Sequence, residues 1–335
     1  MVATYNREDI LLLTLKCLAN QTLDPLLYEV IVVDDGSTDN TRQKVQDIKK
    51  ELPYRLTYLY HQNHGISYTQ NRGIRSARAP LICLIADDIH FSFHALEEHV
   101  KDHADNPKAH IAILGKVLQS PELAQTVFLR IWDPFRFSEL ENYRELPYYL
   151  FFACNISLKK EFLMKNGLFC ETLVREGAYA HEDVELGYRL YQKGLQILYN
   201  KKALAYHYHL VTINQAMKTA YSKGLAWIPF RDYVNRPEIT VRYHVLQTRY
   251  LKDYLILFKK NNHLLGLDKN PVFLIISQLV RVLLFNCVTV PGVWLPLMNV
   301  AEKSRFFSVL MHKLFYRCTI SYYFHKGVAV AARLS

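Results

Sequence analysis

Short apolar runs alternate with amphipathic segments along the first two hundred residues of the chain. Most of the runs are too short for helices and carry few polar residues, which is typical of strands covered on both faces in a parallel sheet. Strand and helix signals that alternate at this length indicate βαβ units. The predicted strands cover residues 2–4, 28–33, 56–61 and 81–86.

Helices are predicted between these strands from their apolar spacing. The first follows Asn6, a predicted N-cap, and carries Ile10, Leu11, Leu15 and Leu18 on one face. Further helices are predicted over residues 40–51, 65–77 and 94–105, followed by a strand over 111–117 and an apolar segment over 148–156.

Two of the predicted strands end in pairs of acidic residues. Asp34 and Asp35 follow the second strand, and Asp87 and Asp88 follow the fourth. Because ligands of open α/β sheets bind outside the carboxyl ends of the strands, we expect both pairs to line one negative crevice. Such a crevice needs a cation, and carboxylate oxygens suit Mg²⁺ or Mn²⁺ that bridges the protein to a diphosphate. The alternative for each pair alone is a solvated turn that caps the next helix.

A third acidic position belongs to a helix that is predicted to begin near Glu182. Asp183, Leu186, Gly187 and Leu190 recur at the spacing of one helix face. This spacing places the Asp183 carboxylate on the face that packs inward, where Gly187 allows close approach of another segment. The alternative is that Glu182 and Asp183 only stabilise the positive end of the helix.

Charge is divided unevenly along the chain, although the net charge is only +10 for 335 residues. Residues 1–200 carry 22 Lys and Arg against 26 Asp and Glu, whereas residues 201–335 carry 19 against 5. The basic part lacks the zinc-ligand spacing, recognition helix and aromatic signature of nucleic-acid binding, so we expect no nucleic-acid partner. Its apolar stretches favour an anionic membrane surface or a lipid-phosphate acceptor.

Cysteine usage and the amino terminus both favour a reducing, cytoplasmic setting. The six cysteines have no paired spacing, so we expect reduced thiols and no zinc site. Arg7, Glu8 and Asp9 precede the first apolar helix, an order unlike that of a signal peptide. We therefore expect the protein in the cytoplasm, including the inner face of the cell membrane.

The most apolar stretch, residues 272–298, lies in the basic part of the chain. A spanning helix needs about 20 predominantly apolar residues. Arg281 lies within the stretch, and Pro291 and Pro296 would break its second half. We expect a helical appendage that lies in the membrane interface, with a packed helical subdomain and a true span as alternatives.

Five short motifs follow one another along residues 2–210. They are Ala3-Thr4-Tyr5-Asn6-Arg7, Asp34-Asp35-Gly36-Ser37-Thr38-Asp39-Asn40-Thr41, Asn63-His64-Gly65-Ile66-Ser67 leading to Asn71-Arg72-Gly73-Ile74, Ala86-Asp87-Asp88, and His181-Glu182-Asp183-Val184-Glu185-Leu186-Gly187-Tyr188-Arg189-Leu190. In this order they resemble the inverting family 2 glycosyltransferases, which bind nucleotide-diphospho-sugars on a GT-A fold.

The resemblance implies an α/β, Rossmann-like GT-A domain over residues 1–210, with a mostly parallel sheet flanked by helices. Residues 211–335 would form a basic, mainly helical extension. The implied activity is metal-dependent transfer of a sugar, with inversion, from a nucleotide-diphosphate donor to a hydroxyl acceptor. That acceptor would be a glycan or a lipid-linked molecule in cell-surface polysaccharide or glycolipid assembly.

The first strand of family members extends further upstream than the strand that contains Met1 here. This difference indicates either a start codon upstream of this one or a weakened first strand, and we favour the upstream start.

The resemblance also implies a nucleotide pocket formed by three segments. The first motif would line the pocket, and an acid after the second strand would accept hydrogen bonds from the base or the ribose. Residues ahead of the metal motif would shape the diphosphate pocket. The implied nucleotide contacts are Thr4, Tyr5, Arg7, Asp34 or Asp35, Asn71, Arg72 and Asp87.

The implied metal site departs from the family pattern at one position. Asp88 is the last acid of the family's Asp-x-Asp motif and would hold Mg²⁺ or Mn²⁺, but Ala86 stands where the first acid is expected. His207 and His209 alternate on a predicted strand and would share one face. Of the two, His207 is the implied metal ligand, and a structural histidine is the alternative.

Asp183 matches the family's catalytic base, which takes a proton from the attacking acceptor hydroxyl. One base is enough for a single displacement because the metal-bound diphosphate leaves without a protonating acid. Glu182 is expected beside it on the acceptor and sugar side. Asn155, which precedes the base in the family pattern, is expected to contact the sugar, with a role in a turn as the alternative.

Two other functions stay open at the level of the sequence. A nucleotidyltransferase also uses an α/β sheet with metal-holding acids, but it needs a triphosphate loop rich in lysine and glycine, which residues 1–20 lack. An inactive scaffold that binds nucleotide-sugars is compatible with Ala86. An Asp183→Asn variant distinguishes an enzyme, which would lose transfer but still bind nucleotide, from a scaffold.

Overall fold

A computed structural model describes residues 1–124, 126–131, 137, 140–172, 181–234, 283–303 and 313–334. These residues form two compact units. The first unit contains the described residues up to Leu210, apart from 126–131 and His181, and the second contains those pieces and the described residues from Val211 onward. Every residue of the predicted site lies in the first unit.

The first unit is built on one nine-stranded sheet. Its strands are β1 Val2–Thr4, β2 Glu29–Asp34, β3 Arg55–Tyr60, β4 Leu81–Ala86, β5 Ile89–Phe91, β6 Ile111–Gln119, β7 Glu145–Leu146, β8 Asn155–Lys159 and β9 Gln196–His207. The order across the sheet is β3-β2-β1-β4-β8-β6-β9-β5, and β7 pairs with β9 off this path. The predicted α/β, GT-A class is confirmed.

One half of the sheet is parallel and matches the predicted βαβ units. Strands β3, β2, β1 and β4 pair in parallel, with Thr4 beside Asp34 at the carboxyl ends of β1 and β2. Five of the six residues of β2 are buried, and its apolar side chains join one core with Leu11 and Leu15 of the first helix. Parallel strands end at the same edge, so this half brings the predicted acid pairs together.

The other half of the sheet is mixed. β8 runs antiparallel to β4 and β6, while β6 and β9 run parallel. An apolar run does not encode strand direction, so the sequence signal of a mostly parallel sheet holds only up to β4. The β6–β9 register breaks between Gly115 and Lys116, which pair with Asn200 and Leu204, so residues 201–203 form a bulge in β9.

Helices occur where the apolar spacing predicts them. Asn6 is not the N-cap of the first helix, because Arg7 takes that position and the Asn6 side chain accepts from the Thr38 N–H (2.7 Å). The helices are α1 Glu8–Ala19, α2 Thr41–Ile48, α3 Ile66–Ser76, α4 Ala95–Asp105, α5 Val127–Ile131, α6 Lys160–Asn166, α7 Glu182–Tyr191, α8 Ile213–Val234, α9 Leu295–Lys303 and α10 Lys313–Leu334.

The second unit is helical, as expected for the basic part of the chain. Gly224 of α8 and Gly327 of α10 lie at the contact between these two helices, where a Cβ on either glycine would overlap the backbone of the other helix. Within the described residues, no helix combines the length and apolar character required to cross a bilayer. Of the stretch predicted to lie in the membrane interface, residues 272–282 fall outside the described residues, and the remainder includes the helical turn Val290–Trp294 and the start of α9.

Candidate active site

An arginine from the loop after β1 joins the two acids that follow β4. The Asp87 carboxylate accepts from the Thr4 hydroxyl (2.8 Å) and from Arg7 Nη1 (2.7 Å), and Arg7 Nη2 donates to Asp88 Oδ2 (2.9 Å). Burial raises the pKa of Asp87 to about 6, although Arg7 opposes the rise and Asp88 adds to it. The predicted residues Thr4, Arg7, Asp87 and Asp88 therefore meet at the carboxyl edge of the sheet.

Asp88 also faces two histidines at the end of β9. His207 Nε2 lies 3.4 Å and His209 Nδ1 3.2 Å from Asp88 Oδ2, and the three ligand atoms all lie within 4.8 Å of one another. Burial raises the pKa of Asp88, but hydrogen bonds from both histidines and the charge of Arg7 outweigh it and bring the pKa well below its usual range. A charged carboxylate and two imidazoles form a suitable ligand set for a divalent ion.

The two acids after β2 are engaged inside the protein. Asp34 is fully buried and accepts from the Ser37 N–H (2.7 Å) and from the Tyr58 hydroxyl. Asp35 accepts from the two backbone N–H groups directly before α3, at 2.8 and 3.0 Å. These contacts stabilise the turn after β2, and the predicted contact of Asp34 with the base or ribose stays a prediction. Asp35, which is 6% exposed, stays a predicted contact of the base or ribose.

Asn71 ties α3 to a distant loop. Its amide accepts from the Phe169 N–H (2.9 Å) and donates to Phe169 O (2.8 Å) and to Glu171 Oε1 (2.7 Å), and the residue is 1% exposed. In this structure its amide contacts protein groups, and its predicted role at the diphosphate pocket stays a prediction. Arg72 donates to the last carbonyl of β3 (2.8 Å), and Tyr5 is 46% exposed, so both stay predicted nucleotide contacts.

Asp183 lies in the first turn of α7 and contacts the segment before β8. Its Oδ2 accepts from the Ala153 N–H (3.0 Å). Gly187 lets α7 approach the turn at Tyr148, because a Cβ there would lie 2.5 Å from the Tyr148 carbonyl oxygen. The predicted close approach at Gly187 is confirmed. Glu182 and Asp183 are both half-buried, and their roles in catalysis and sugar binding stay predictions.

Cys154 lies within the electrostatic reach of both acidic parts of the site. Burial raises the pKa of its thiol well above the ordinary value, and the charges of Asp183 and Asp88 raise it further. The two carboxylates come from α7 and from the end of β4, yet both act on one side chain. Cys154 also lies next to Ala153, which donates to Asp183, and directly before β8, which pairs with β4, the strand that ends two residues before Asp88.

Asn155 lies in the interior. It is 0% exposed, and its amide bonds to His99 Nε2 (2.9 Å), Ala203 O (3.0 Å) and Lys116 O (3.2 Å). In this structure the amide contacts protein groups, and the expected sugar contact stays a prediction. The structural alternative for this residue agrees with its position.

Two residues of the site have weak or absent signals in the sequence. His209 shares the alternation of His207, and the resemblance assigns only His207, but the structure brings both to Asp88. Nothing in the sequence marks Cys154, because its place in the site comes from β8 lying beside β4.

Residues 1–166, about half of the chain, match the family model described as "Glycosyl transferase family 2". The matched region contains the parallel half of the sheet and both acid pairs, and it ends before Asp183 and His207. Through this region the chain belongs to glycosyl transferase family 2.

Similar proteins agree with this membership. Validoxylamine A glucosyltransferase of Streptomyces hygroscopicus subsp. limoneus is 28% identical over 61% of this chain and 49% of its own length. Glucosyl-dolichyl phosphate glucuronosyltransferase of Haloferax volcanii is 25% identical over 91% of this chain and 98% of its own length. This chain spans about half of the first of these relatives, and 34% of a further relative, chondroitin synthase of Escherichia coli.

A solved structure shares the fold. The mannosyltransferase PcManGT from Pyrobaculum calidifontis, solved in complex with GDP-Man and Mn²⁺, superposes with a TM-score of 0.61 at 16% identity. The match covers 98% of this chain and 84% of that protein. At this identity the likeness concerns the fold.

Proposed function

We propose that this protein is a metal-dependent glycosyltransferase that moves a sugar from a nucleotide-diphosphate donor to a hydroxyl acceptor with inversion. The observation that carries the proposal is the placement of two acidic groups on neighbouring segments: Asp88 with its two histidines follows β4, and Asp183 accepts from the Ala153 N–H directly ahead of β8, the strand that pairs with β4. Family membership and the transferase names of the relatives support the reaction class.

Asp88, His207 and His209 fit a divalent ion as one carboxylate and two imidazole ligands. Mg²⁺ prefers oxygen ligands and retains water, so this mixed set favours Mn²⁺. The bound ion would supply positive charge to the leaving diphosphate. Arg7, which contacts both acids of the pair, would add a second positive charge beside that group. The Mn²⁺ in the structure named for PcManGT supports the same choice.

Asp183 would act as the general base. The Ala153 N–H donates to its Oδ2, which helps to orient the carboxylate. It would take the proton of the acceptor hydroxyl as that oxygen attacks the anomeric carbon, while Glu182 beside it would contact the acceptor or the sugar. A single displacement needs one such base, which is the basis for proposing inversion.

The donor would bind along the ends of β1, β2 and β3. Tyr5 is exposed there, Arg72 lies at the end of β3, and Asp35 precedes α3. Thr4 would act indirectly, because its hydroxyl holds Asp87 in place, whereas Arg7 would both hold the two acids and present its charge to the diphosphate.

The acceptor would be a glycan or a lipid-linked molecule in cell-surface polysaccharide or glycolipid assembly. Residues 201–335 carry 19 Lys and Arg against 5 Asp and Glu, a balance that favours acceptors with phosphate groups. The relative that this chain covers almost completely is named for a glucosyl-dolichyl phosphate substrate, which supports a lipid-linked acceptor.

An Asp183→Asn variant tests the proposal. The amide still accepts from the Ala153 N–H but cannot take a proton, so we expect the transfer rate to fall by about 10²–10⁴-fold. Binding of UDP or GDP with Mn²⁺, measured by calorimetry, should be retained. Transfer is measured as hydrolysis or glycoside formation over a panel of UDP-, GDP- and dTDP-sugars. The control is Asp105→Asn, the same change at an exposed helix end, which should keep full activity.

Other outcomes identify other functions. An Asp183→Asn variant as active as the wild type contradicts the assignment of the base. Nucleotide binding without transfer from any donor of the panel indicates a scaffold. Release of pyrophosphate from a nucleoside triphosphate and a sugar phosphate indicates a nucleotidyltransferase.

A further inference from the structure

The bulge in β9 is bridged by one side chain from another strand. Between Gly115 and Lys116 of β6, the partner strand gains residues 201–203, which interrupts the regular pairing. Asn155 Nδ2 donates to Lys116 O (3.2 Å) on β6 and to Ala203 O (3.0 Å) in the bulge of β9. Buried carbonyl groups need donors, so the Asn155 amide supplies hydrogen bonds where the ladder is broken.

Gly115 provides the space for this contact. A Cβ at this position would overlap both the Asn155 amide and the Ala203 carbonyl. Any side chain at position 115 would therefore push the amide away from the bulge.

A buried chain of polar groups fixes the orientation of the Asn155 amide. His99 Nε2 contacts Asn155 Oδ1 (2.9 Å), His99 Nδ1 contacts Ser157 Oγ (2.8 Å), and His103 Nε2 contacts the same Oγ (3.0 Å). Because Asn155 Oδ1 only accepts, His99 carries its proton on Nε2 and accepts from the Ser157 hydroxyl at Nδ1. The Ser157 oxygen in turn accepts from His103 Nε2. Burial lowers the pKa of both His99 and His103, so both rings are neutral at neutral pH.

Asn155 stands between the segments that carry the candidate site. It is the first residue of β8 and pairs with Ile85, three residues before Asp88. The Ala153 N–H that holds Asp183 lies two residues before it. The bulge that it bridges lies four residues before His207 on β9.

We propose that Asn155 is a positioning residue of this site. By locking the β9 bulge to the start of β8, it sets the two histidines against Asp88 and the Ala153 N–H against Asp183. The chain of His99, Ser157 and His103 keeps the amide with its nitrogen toward the carbonyls. The inference rests on the proposed function for the role of Asp183, and it gives Asn155 a role that needs no contact with a substrate.

A matched pair at Ser157 tests the inference. Valine and threonine have the same shape, but only Ser157→Thr keeps the hydroxyl that links the two imidazoles. Loss of this link leaves buried polar groups without partners, which is unfavourable. We expect Ser157→Val to weaken Mn²⁺ binding about tenfold and to lower kcat per nucleotide-binding site by about as much, with the donor KM little changed, and Ser157→Thr to restore both. Mn²⁺ alone is titrated by the electron paramagnetic resonance signal of the free ion.

Equal Mn²⁺ affinity and equal kcat per site in the two variants, with a difference only in melting temperature, would overturn the inference. If Ser157→Val does not fold, Gly115→Ala is the second variant, because its new Cβ displaces the Asn155 amide while all polar groups stay. The Mn²⁺ affinity and kcat per site of this variant then test the inference. The Mn²⁺ titration does not depend on transfer. An active Asp183→Asn variant would therefore contradict the proposed base but not the Mn²⁺ result. An Mn²⁺ affinity that is unchanged in Ser157→Val would contradict the positioning role of Asn155 but not the proposed transferase.

Discussion

Three side-chain nitrogen atoms surround one oxygen atom, Asp88 Oδ2. Arg7 Nη2 lies 2.9 Å away, His209 Nδ1 3.2 Å and His207 Nε2 3.4 Å. These contacts hold the carboxylate in its charged form, which is the form that binds a metal ion. In the proposed site, the two imidazoles supply ligands that compensate for the acid absent at Ala86.

Removal of either histidine tests this compensation. We expect His207→Ala and His209→Ala each to weaken Mn²⁺ binding by at least about tenfold, because each removes one of three ligands. Binding is measured by calorimetry with the metal alone. His94→Ala, at a ring that is largely exposed on α4's amino end, is the control and should bind as the wild type does. If His209→Ala has unchanged Mn²⁺ affinity, His209 is not a ligand and His207 is the single histidine of the site, as the sequence predicts.

His103 makes stability depend on pH. Burial, with the nearby Lys159 charge, lowers its pKa from 6.5 to about 4. As the pH falls below 6.5, the unfolded chain takes up a proton that the folded protein does not, so stability decreases toward acid by up to about 1.4 kcal/mol per pH unit. Urea unfolding at neutral and mildly acidic pH measures this slope. His103→Gln should reduce it and exposed His94→Gln should not; an equal slope in all three proteins would show that His103 titrates normally.

At the scale of elements, α7 is placed by one glycine. Gly187 contacts the turn Tyr148–Leu150, and Asp183 lies one helical turn before it. The position of the candidate base therefore depends on how closely this helix packs against the segment ahead of β8.

Gly187→Ala tests this packing. Alanine favours a helix over glycine by about 1 kcal/mol, so an open site would gain stability. Here the new Cβ would lie 2.5 Å from the Tyr148 oxygen, so we expect a loss of about 1–3 kcal/mol in the free energy of unfolding and a lower transfer rate. Gly292→Ala is the matched control, because apart from its own helix no described part of the chain lies within 4 Å of the new Cβ. A more stable Gly187→Ala variant would show that α7 has room to adjust.

Local patterns predicted the elements, and contacts between distant residues decided what the sequence left open. The apolar run of β2 and the spacing in α7 are properties of adjacent residues, so both are visible in the sequence. The sequence assigns Asn71, in the middle of α3, and Asn155, at the start of β8, to ligand contacts, but each is buried by partners more than fifty residues away, Phe169 and His99. The β9 bulge is equally invisible because it arises from the pairing with β6.

At the scale of the whole molecule, charge divides along the chain. Residues 1–200 carry a small excess of acids, and residues 201–335 carry nearly four times as many Lys and Arg as Asp and Glu. The second unit also exposes apolar side chains, including Leu283 (72%) and Val288 (73%). This combination favours attraction to a surface that is both anionic and apolar.

Vesicle binding tests this expectation. We expect the protein to sediment with vesicles of mixed phosphatidylcholine and phosphatidylglycerol at low salt and to dissociate from them at high salt. It should not bind vesicles of pure phosphatidylcholine. The double variant Leu283→Ser/Val288→Ser should bind more weakly. The matched control is Leu26→Ser/Leu27→Ser, an equally exposed apolar pair in the acidic part, which should bind normally. No binding to anionic vesicles at low salt would contradict the expectation.

The group that holds the Asp183 carboxylate belongs to the main chain, at Ala153. Every amino acid except proline offers the same donor, so substitutions at this position leave the contact chemically intact. Alanine scanning therefore does not detect this contact, and most natural substitutions at position 153 do not remove it. A search for the determinants of this acid by conventional mutagenesis would overlook this main-chain contact.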